Sequence, residues 1–310
     1  MKKLILLLNM GGPRNLNEIE IFLKNMFNDP FILGVKNNFL RKILASFITK
    51  MRLKQARQNY AQIGSKSPLC EITERLCAKI LKASDEFLVD FAMNYTPPFT
   101  KDVLKKYQDV AQIVLVPLYP HHSVTTITSS VNDFFRAYNE LSLNANVMVV
   151  KPFYDDSDFN DLIVNDIKMA SLGADISEIS LIFSAHSLPQ RVIDNGDLYE
   201  MNVLTQIEIL KQKLNENNLF FKEIILAYQS RLGPVKWLEP SLNSVLSGLE
   251  SKKALIYPLS FCIDNSETIF ELDIEYKHLA NSLNFEFFRV VKCPNDSDEF
   301  VNFILDYVKE

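Results

Sequence analysis

An α/β fold follows from three features of the chain: two similar Rossmann-like domains, each on a parallel sheet, facing each other across a cleft. Apolar runs of strand length alternate with helical patterns from end to end, which implies βαβ units. Several runs, such as Ile113-Val114-Leu115-Val116, are continuous rather than alternating, as strands covered on both faces are. Polar residues with proline also recur just past an apolar run in both halves. The first half has Asn9-Met10-Gly11-Gly12-Pro13, Asn94-Tyr95-Thr96-Pro97 and Pro117-Leu118-Tyr119-Pro120. The second has His186-Ser187-Leu188-Pro189, Gln229-Ser230-Arg231-Leu232-Gly233-Pro234 and Pro258-Leu259-Ser260-Phe261.

Strands are predicted near 3–8, 87–94, 112–118, 146–151, 179–185, 223–228, 253–259 and 285–291. The first follows two lysines, as a signal peptide would. It stops at Asn9-Met10-Gly11-Gly12-Pro13, too early for an h-region, so it reads as a buried strand. Ser67-Pro68 offers an N-cap with proline at the first helical position, and Thr100-Lys101-Asp102 opens another helix. The domains are expected at 1–150 and 151–310, with the last helix, near 296–309, packing back on the first domain.

A hydrophobic share of 47% supports a packed core, and a net charge of -5 argues against general nucleic-acid binding. Cys70, Cys77, Cys262 and Cys293 form no C-x-x-C pair and read as buried thiols in a reducing compartment. No apolar run approaches the roughly 20 residues of a membrane span, so a cytoplasmic location is expected, peripheral at the inner membrane face. From Pro30 to Cys70 the chain has Lys36, Arg41, Lys42, Lys50, Arg52, Lys54, Arg57 and Lys66 and no acid, which leaves -13 for the remainder. Phe31, Ile32, Leu33, Phe39, Leu40, Ile43, Leu44, Phe47 and Ile48 are interleaved. The segment is either a helical hairpin with a solvated basic face or a lip for an anionic, apolar ligand or an anionic membrane surface.

Two segments carry chemistry. In Phe183-Ser184-Ala185-His186-Ser187-Leu188-Pro189 a lone histidine ends a strand, where α/β folds bind ligands. Its ordinary pKa suits proton transfer, and the alternative is a structural histidine bonded at a strand end. In the stretch Asp264 to Tyr276, Glu267, Glu271 and Glu275 recur at i, i+4 and i+8 on one helical face. They form either a carboxylate track for protons or metal, or a solvated acidic face. His121 and His122 are further metal-ligand candidates, and Trp237, Tyr119 and Phe261 are candidate pocket walls. A dinucleotide-dependent oxidoreductase would fit the fold class, but no G-x-G-x-x-G turn follows any strand.

These segments resemble the ferrochelatase family over almost the whole chain. The resemblance runs through Asn9 to Pro13, Arg57 to Leu69, Pro117 to Pro120 with Ser123, Thr125 and Thr126, Phe183 to Pro189 with Gly196, Asp197 and Tyr199, Tyr228 to Pro234 with Trp237, Leu238 and Pro240, and Asp264 to Tyr276. It implies the two-domain chelatase fold with a porphyrin in the interdomain cleft, and a lyase that inserts ferrous iron into protoporphyrin IX to form protohaem. It implies catalytic roles for His186, Glu267 and Glu271, with His186 and Glu267 also meeting the metal. Met10, Ser67, Tyr119, Ser123, Trp237 and Phe261 become porphyrin contacts, and Arg231 and Ser123 candidates for the propionates. Iron is then a substrate, with no permanent cofactor and no iron-sulfur cluster, because a cysteine-bearing C-terminal extension is missing. Met10 resembles the protohaem-forming members, whereas coproporphyrin users tend to have tyrosine there. Asn265 departs from the usual histidine, His121-His122 from a glutamine-aromatic pair and Ile127 from glycine. Coproporphyrin chelation, cobalt or nickel insertion into another tetrapyrrole, and a non-catalytic porphyrin or haem carrier are the alternatives.

Overall fold

The computed structural model describes residues 3–309 and divides into two compact units. The first comprises Met1–Tyr119, Ser123–Lys151 and Asp296–Glu310, and the second Pro120–His122 and Pro152–Asn295. All eight predicted strands are present, and every strand pairing is parallel.

In the first unit, β1 (Lys3–Asn9), β2 (Phe87–Met93), β3 (Gln112–Pro117) and β4 (Asn146–Val149) form a sheet in the order β2-β1-β3-β4. Its helices are α1 (Glu18–Phe27), α2 (Pro30–Leu33), α3 (Asn38–Gln62), α4 (Leu69–Ala83), α5 (Thr100–Leu104), α6 (Ser129–Glu140) and the last helix of the chain. Leu4 to Leu8 are all buried, which is why this run has no alternation: neighbours cover both faces of the central strand. Leu4, Leu6 and Leu8 pack with Ile113, Leu115, Leu104 and Phe134. Each such side chain contributes about 1.5–3 kcal/mol over its exposed state. The turn after β1 needs its glycines. Gly11 has φ +91°, and a Cβ there would lie 2.3 Å from Thr96 Oγ1. α4 begins at Leu69 with Pro68 in the N-cap place, one position before the first helical residue where the sequence put the proline, and Ser67 Oγ, expected as the cap, accepts only the Leu69 N–H at 3.4 Å.

The basic segment contains one long helix, α3, which begins on the side chain of Asn37. It packs on α1 through Ala45 and Tyr60 against Ile19, Leu23 and Phe27. Its other face is apolar and uncovered: Phe39 is 71% exposed, Phe47 61% and Met51 68%, with Leu40, Ile43 and Leu44 beside them.

The second unit repeats the plan. β5 (Ser180–His186), β6 (Glu223–Gln229), β7 (Lys253–Pro258) and β8 (Phe287–Val290) lie in the order β6-β5-β7-β8. Its helices are α7 (Ser157–Ala170), α8 (Gln190–Asp194), α9 (Tyr199–Glu216), α10 (Leu242–Gly248) and α11 (Lys277–Ser282). Ile182, Ala227, Ile256, Leu242, Leu246 and Leu272 form its core. The last helix, α12 (Asp298–Tyr307), belongs to the first unit, where Arg75 pairs with Asp296 at 3.0 Å and Lys79 with Asp298 at 2.9 Å. All four cysteines are free and buried. No helix among the described residues is long and apolar enough to cross a membrane.

Candidate active site

Parallel pairing brings the ends of β5, β6 and β7 to one edge of the second sheet, with His186 opposite Gln229 and Ser184 opposite Pro258. The segments that follow therefore start side by side. His186 closes β5, Ser230 follows β6, and a helix from Glu267 to Tyr276 follows β7.

That helix is a π-helix, where the sequence predicts an ordinary α-helix. Its wider i→i+5 turn is a feature that recurs at functional sites, and it still leaves residues four apart near one side. Asn265 starts it: its Oδ1 accepts the Glu267 N–H at 2.7 Å, and its backbone N–H donates to Thr268 Oγ1 at 3.0 Å. The Asn265 side chain is thus engaged at the start of this helix.

The functional side chains form one hydrogen-bonded series. His186 Nδ1 lies 2.7 Å from Glu267 Oε2. Ser230 Oγ is 3.0 Å from the same carboxylate and makes a short contact with Glu271 Oε2. Glu271 Oε1 accepts the Ser230 N–H at 2.7 Å. Ser230 sits at φ +65°, a left-handed conformation uncommon for serine, and there its N–H and hydroxyl both reach Glu271. Phe261 meets the His186 ring edge-on at 6.4 Å.

Electrostatics follow from this packing. Burial disfavours the imidazolium, but the charge of Glu267, its hydrogen bond and the more distant Glu271 outweigh it and raise the His186 pKa. Burial likewise opposes ionised Glu267, and His186 and Ser230 reverse the effect and lower its pKa. Glu271 has no such cation in contact. Burial, then the charge of Glu267, push its pKa up to about 7. Proton counting agrees: the one Ser230 hydroxyl hydrogen cannot serve two carboxylates, so a shared site favours a proton on Glu271. With Nδ1–H donated to Glu267, His186 Nε2 carries the lone pair. The imidazole side chain is 34% exposed and that of Glu267 25%.

Of the predicted residues, His186, Glu267, Glu271 and Phe261 come together. Glu275, the optional third member of the row, is exposed and stands outside the series. Trp237 lies beside the segment after β5, bridged to Pro189. Arg231, offered for propionates, instead pairs with Glu239 at 2.7 Å and donates to the Leu238 carbonyl. His121 is buried, with Nε2 2.7 Å from Gln206 Oε1, and burial lowers its pKa to about 4. It is therefore neutral and fixed by an amide. The His122 N–H donates to Asn202 Oδ1 at 3.0 Å. In the first unit, the Met10 carbonyl accepts the Tyr95 N–H at 2.9 Å, and Ser67 lies under Gly12. Buried Tyr119 reaches Ser130 at 3.4 Å, and buried Ser123 accepts the Thr125 N–H at 3.1 Å, capping the π-helix Val124–Thr128. Nothing in the sequence gives Ser230 a role. Its one signal is its place in the Tyr228 to Pro234 segment. Among the described residues no group of three or more His, Cys, Asp or Glu side chains is arranged to hold a metal ion.

Comparison with known proteins bears on the family and the fold. The family model described as Ferrochelatase matches residues 2–310. The ferrochelatase of Campylobacter concisus (strain 13826) is 62% identical over 310 residues, covering 100% of this chain and 98% of that protein. That of Campylobacter fetus subsp. fetus is 54% identical over 312 residues, covering 100% and 99%. Among solved structures, SirB from Bacillus subtilis with Fe3+ is similar at a TM-score of 0.57 and 12% identity, over 100% of this chain and 95% of that one. CbiX, described as the terminal enzyme for biosynthesis of sirohaem in denitrifying bacteria, is similar at 0.53 and 12%, over 100% and 98%. At such identities the structural likeness establishes the fold alone.

Proposed function

The chain belongs to the ferrochelatase family, and on that premise we propose that it inserts ferrous iron into protoporphyrin IX, forming protohaem in the final step of haem synthesis. The observation that carries this reading is the series His186, Glu267, Ser230, Glu271, each within hydrogen-bond reach of the next. Metal insertion exchanges two pyrrole protons for one dication. The porphyrin therefore needs a base at its face and an exit for protons. His186 Nε2 accepts a pyrrole proton. The imidazolium that results is stabilised by Glu267, to which Nδ1–H is already donated. Transfer onward shifts the Nδ1 proton to Glu267, the Ser230 hydroxyl takes it up while giving its own to Glu271 in its ionised form, which a pKa of about 7 makes accessible, and Glu271 releases that proton to solvent before the second pyrrole proton follows the same route. Iron enters as substrate, with His186 and Glu267 as its first protein ligands. Phe261 and Trp237 supply apolar wall. For the first unit, the resemblance alone supports Met10, Ser67, Tyr119 and Ser123 as porphyrin contacts.

The test is anaerobic absorption spectroscopy with ferrous iron and protoporphyrin, run beside coproporphyrin and beside His186→Ala. Turnover with protoporphyrin, reduced about 10²–10⁴-fold in the variant, is expected. Near-normal turnover by His186→Ala would remove the base assignment. Porphyrin binding without turnover would favour a carrier, and a preference for coproporphyrin or cobalt would move the substrate.

We also read the open face of α3 as a contact for an anionic membrane surface. Phe39, Ile43, Phe47 and Met51 recur every four residues and are exposed, and Lys36, Lys42, Lys50 and Lys54 flank them with no acid nearby in sequence. Co-sedimentation with anionic vesicles, lost at high salt and in Phe39→Asp with Phe47→Asp, is the expected result; equal pelleting with neutral vesicles would reject it.

A further inference from the structure

Strand β5 outruns its neighbour β7. Ser184 lies opposite Pro258, the last residue of β7, and its carbonyl accepts the Leu259 N–H at 2.9 Å. Two residues on, the backbone of His186 points the same way and has no strand to meet. A backbone N–H and C=O in such a place need partners, and two side chains supply them. The His186 N–H donates to Ser260 Oγ at 3.1 Å. The His186 carbonyl accepts from the Tyr199 hydroxyl at 2.8 Å. The two hydroxyls are themselves 2.6 Å apart. A single assignment of hydrogens satisfies all three contacts: His186 N–H to Ser260 Oγ, Ser260 O–H to Tyr199 Oη, and Tyr199 O–H back to the His186 carbonyl. Each group donates once and accepts once.

We propose that Tyr199 and Ser260 are positioning residues, locking the backbone of His186 in this closed hydrogen-bond cycle and thereby holding its ring against Glu267. The inference rests on the reading of His186 as the base. Both hydroxyl residues are buried, so no bulk water competes for the cycle, and bonds in a closed chain polarise one another. Burial raises the Tyr199 pKa and keeps the phenol protonated, as its donor role requires. The His121 ring meets Tyr199 edge-on at 5.6 Å and fixes its orientation. A ring held 2.7 Å from its carboxylate leaves little slack: a small rotation of the peptide carries the imidazole out of hydrogen-bond reach.

The experiment measures kcat and porphyrin KM for Tyr199→Phe, Ser260→Ala and the double variant, with hydrogen exchange of the His186 amide, and runs His186→Ala beside them. Each single variant should lose about 10-fold in kcat with KM within about two-fold, and its His186 amide should exchange about 10-fold faster. The double variant should be no worse than the worse single, because either change opens the same cycle. Ser260→Thr keeps a hydroxyl and should recover kcat. Wild-type kcat in both singles, losses that multiply in the double, or an unmoved amide exchange would overturn the proposal. Should Tyr199→Phe not fold, the smaller change Ser260→Ala decides by the same readings. If His186→Ala itself turns over normally, the base reading has failed, and the amide exchange alone then decides whether the clamp exists.

Discussion

Replacing Glu271 by glutamine should make the protein more stable at alkaline pH. In the folded chain the Glu271 carboxyl has a pKa of about 7, against 4.5 as its ordinary value, because burial and the charge of Glu267 disfavour ionisation. The folded state thus binds this proton more tightly than the unfolded state. Stability from this group is present at low pH and is lost as pH rises from about 4.5 through about 7. At about 1.36 kcal/mol per pKa unit, and with solvent relaxation around a half-buried group, the loss between pH 5 and pH 8 is on the order of 1–3 kcal/mol. His186, also raised, contributes a loss of the same sign at the upper end of this window. Glu267, lowered, contributes stability that disappears only on acidification below it. Glutamine keeps an acceptor for the Ser230 N–H and cannot ionise. Glu271→Gln should therefore match wild type at pH 5 and exceed it at pH 8, with a melting temperature higher by roughly 5 °C. Calorimetric scans of the metal- and porphyrin-free protein from pH 5 to 8 measure this. A constant offset between the two proteins across that range would refute the raised pKa and the proton count at Ser230.

Other outcomes test other parts of the site. Glu267→Gln should lower turnover far more than porphyrin affinity, read as kcat against KM; equal turnover would reject its role beside His186. Ser230→Ala removes the hydroxyl between the two carboxylates and should slow turnover about 10-fold without loosening porphyrin, since proton exit then lacks its middle step. Asn265→Ala deletes the side-chain acceptor for the Glu267 N–H at the start of the π-helix and should cost about 1 kcal/mol in chemical unfolding. Gly11→Ala places a Cβ 2.3 Å from Thr96 Oγ1 at φ +91° and should destabilise by about 2 kcal/mol or more; a neutral result would mean the turn after β1 yields easily.

The amino-acid sequence by itself determined the elements and much of the chemistry. Runs such as Leu4 to Leu8 and Ile113 to Val116 are continuous because both faces of those strands are covered, and burial of that kind is written locally. His186 and Glu267 were legible as residue types at strand ends, and the family resemblance named them. The basic segment was visible as a charge run, but which side of α3 would be left open was not, because that depends on where α1 packs. The π-helix was not legible either, because glutamates four apart suit both helical pitches. Only the tertiary structure decided that Ser230, Tyr199 and Ser260 belong with the histidine. Serine and tyrosine carry no periodic signal. Their partners lie 37 to 74 residues away along the chain for the serines, and 13 and 61 for the tyrosine. What gathers them is the register of three parallel strands, in which one strand ends two residues beyond its neighbour and leaves backbone groups that side chains must satisfy.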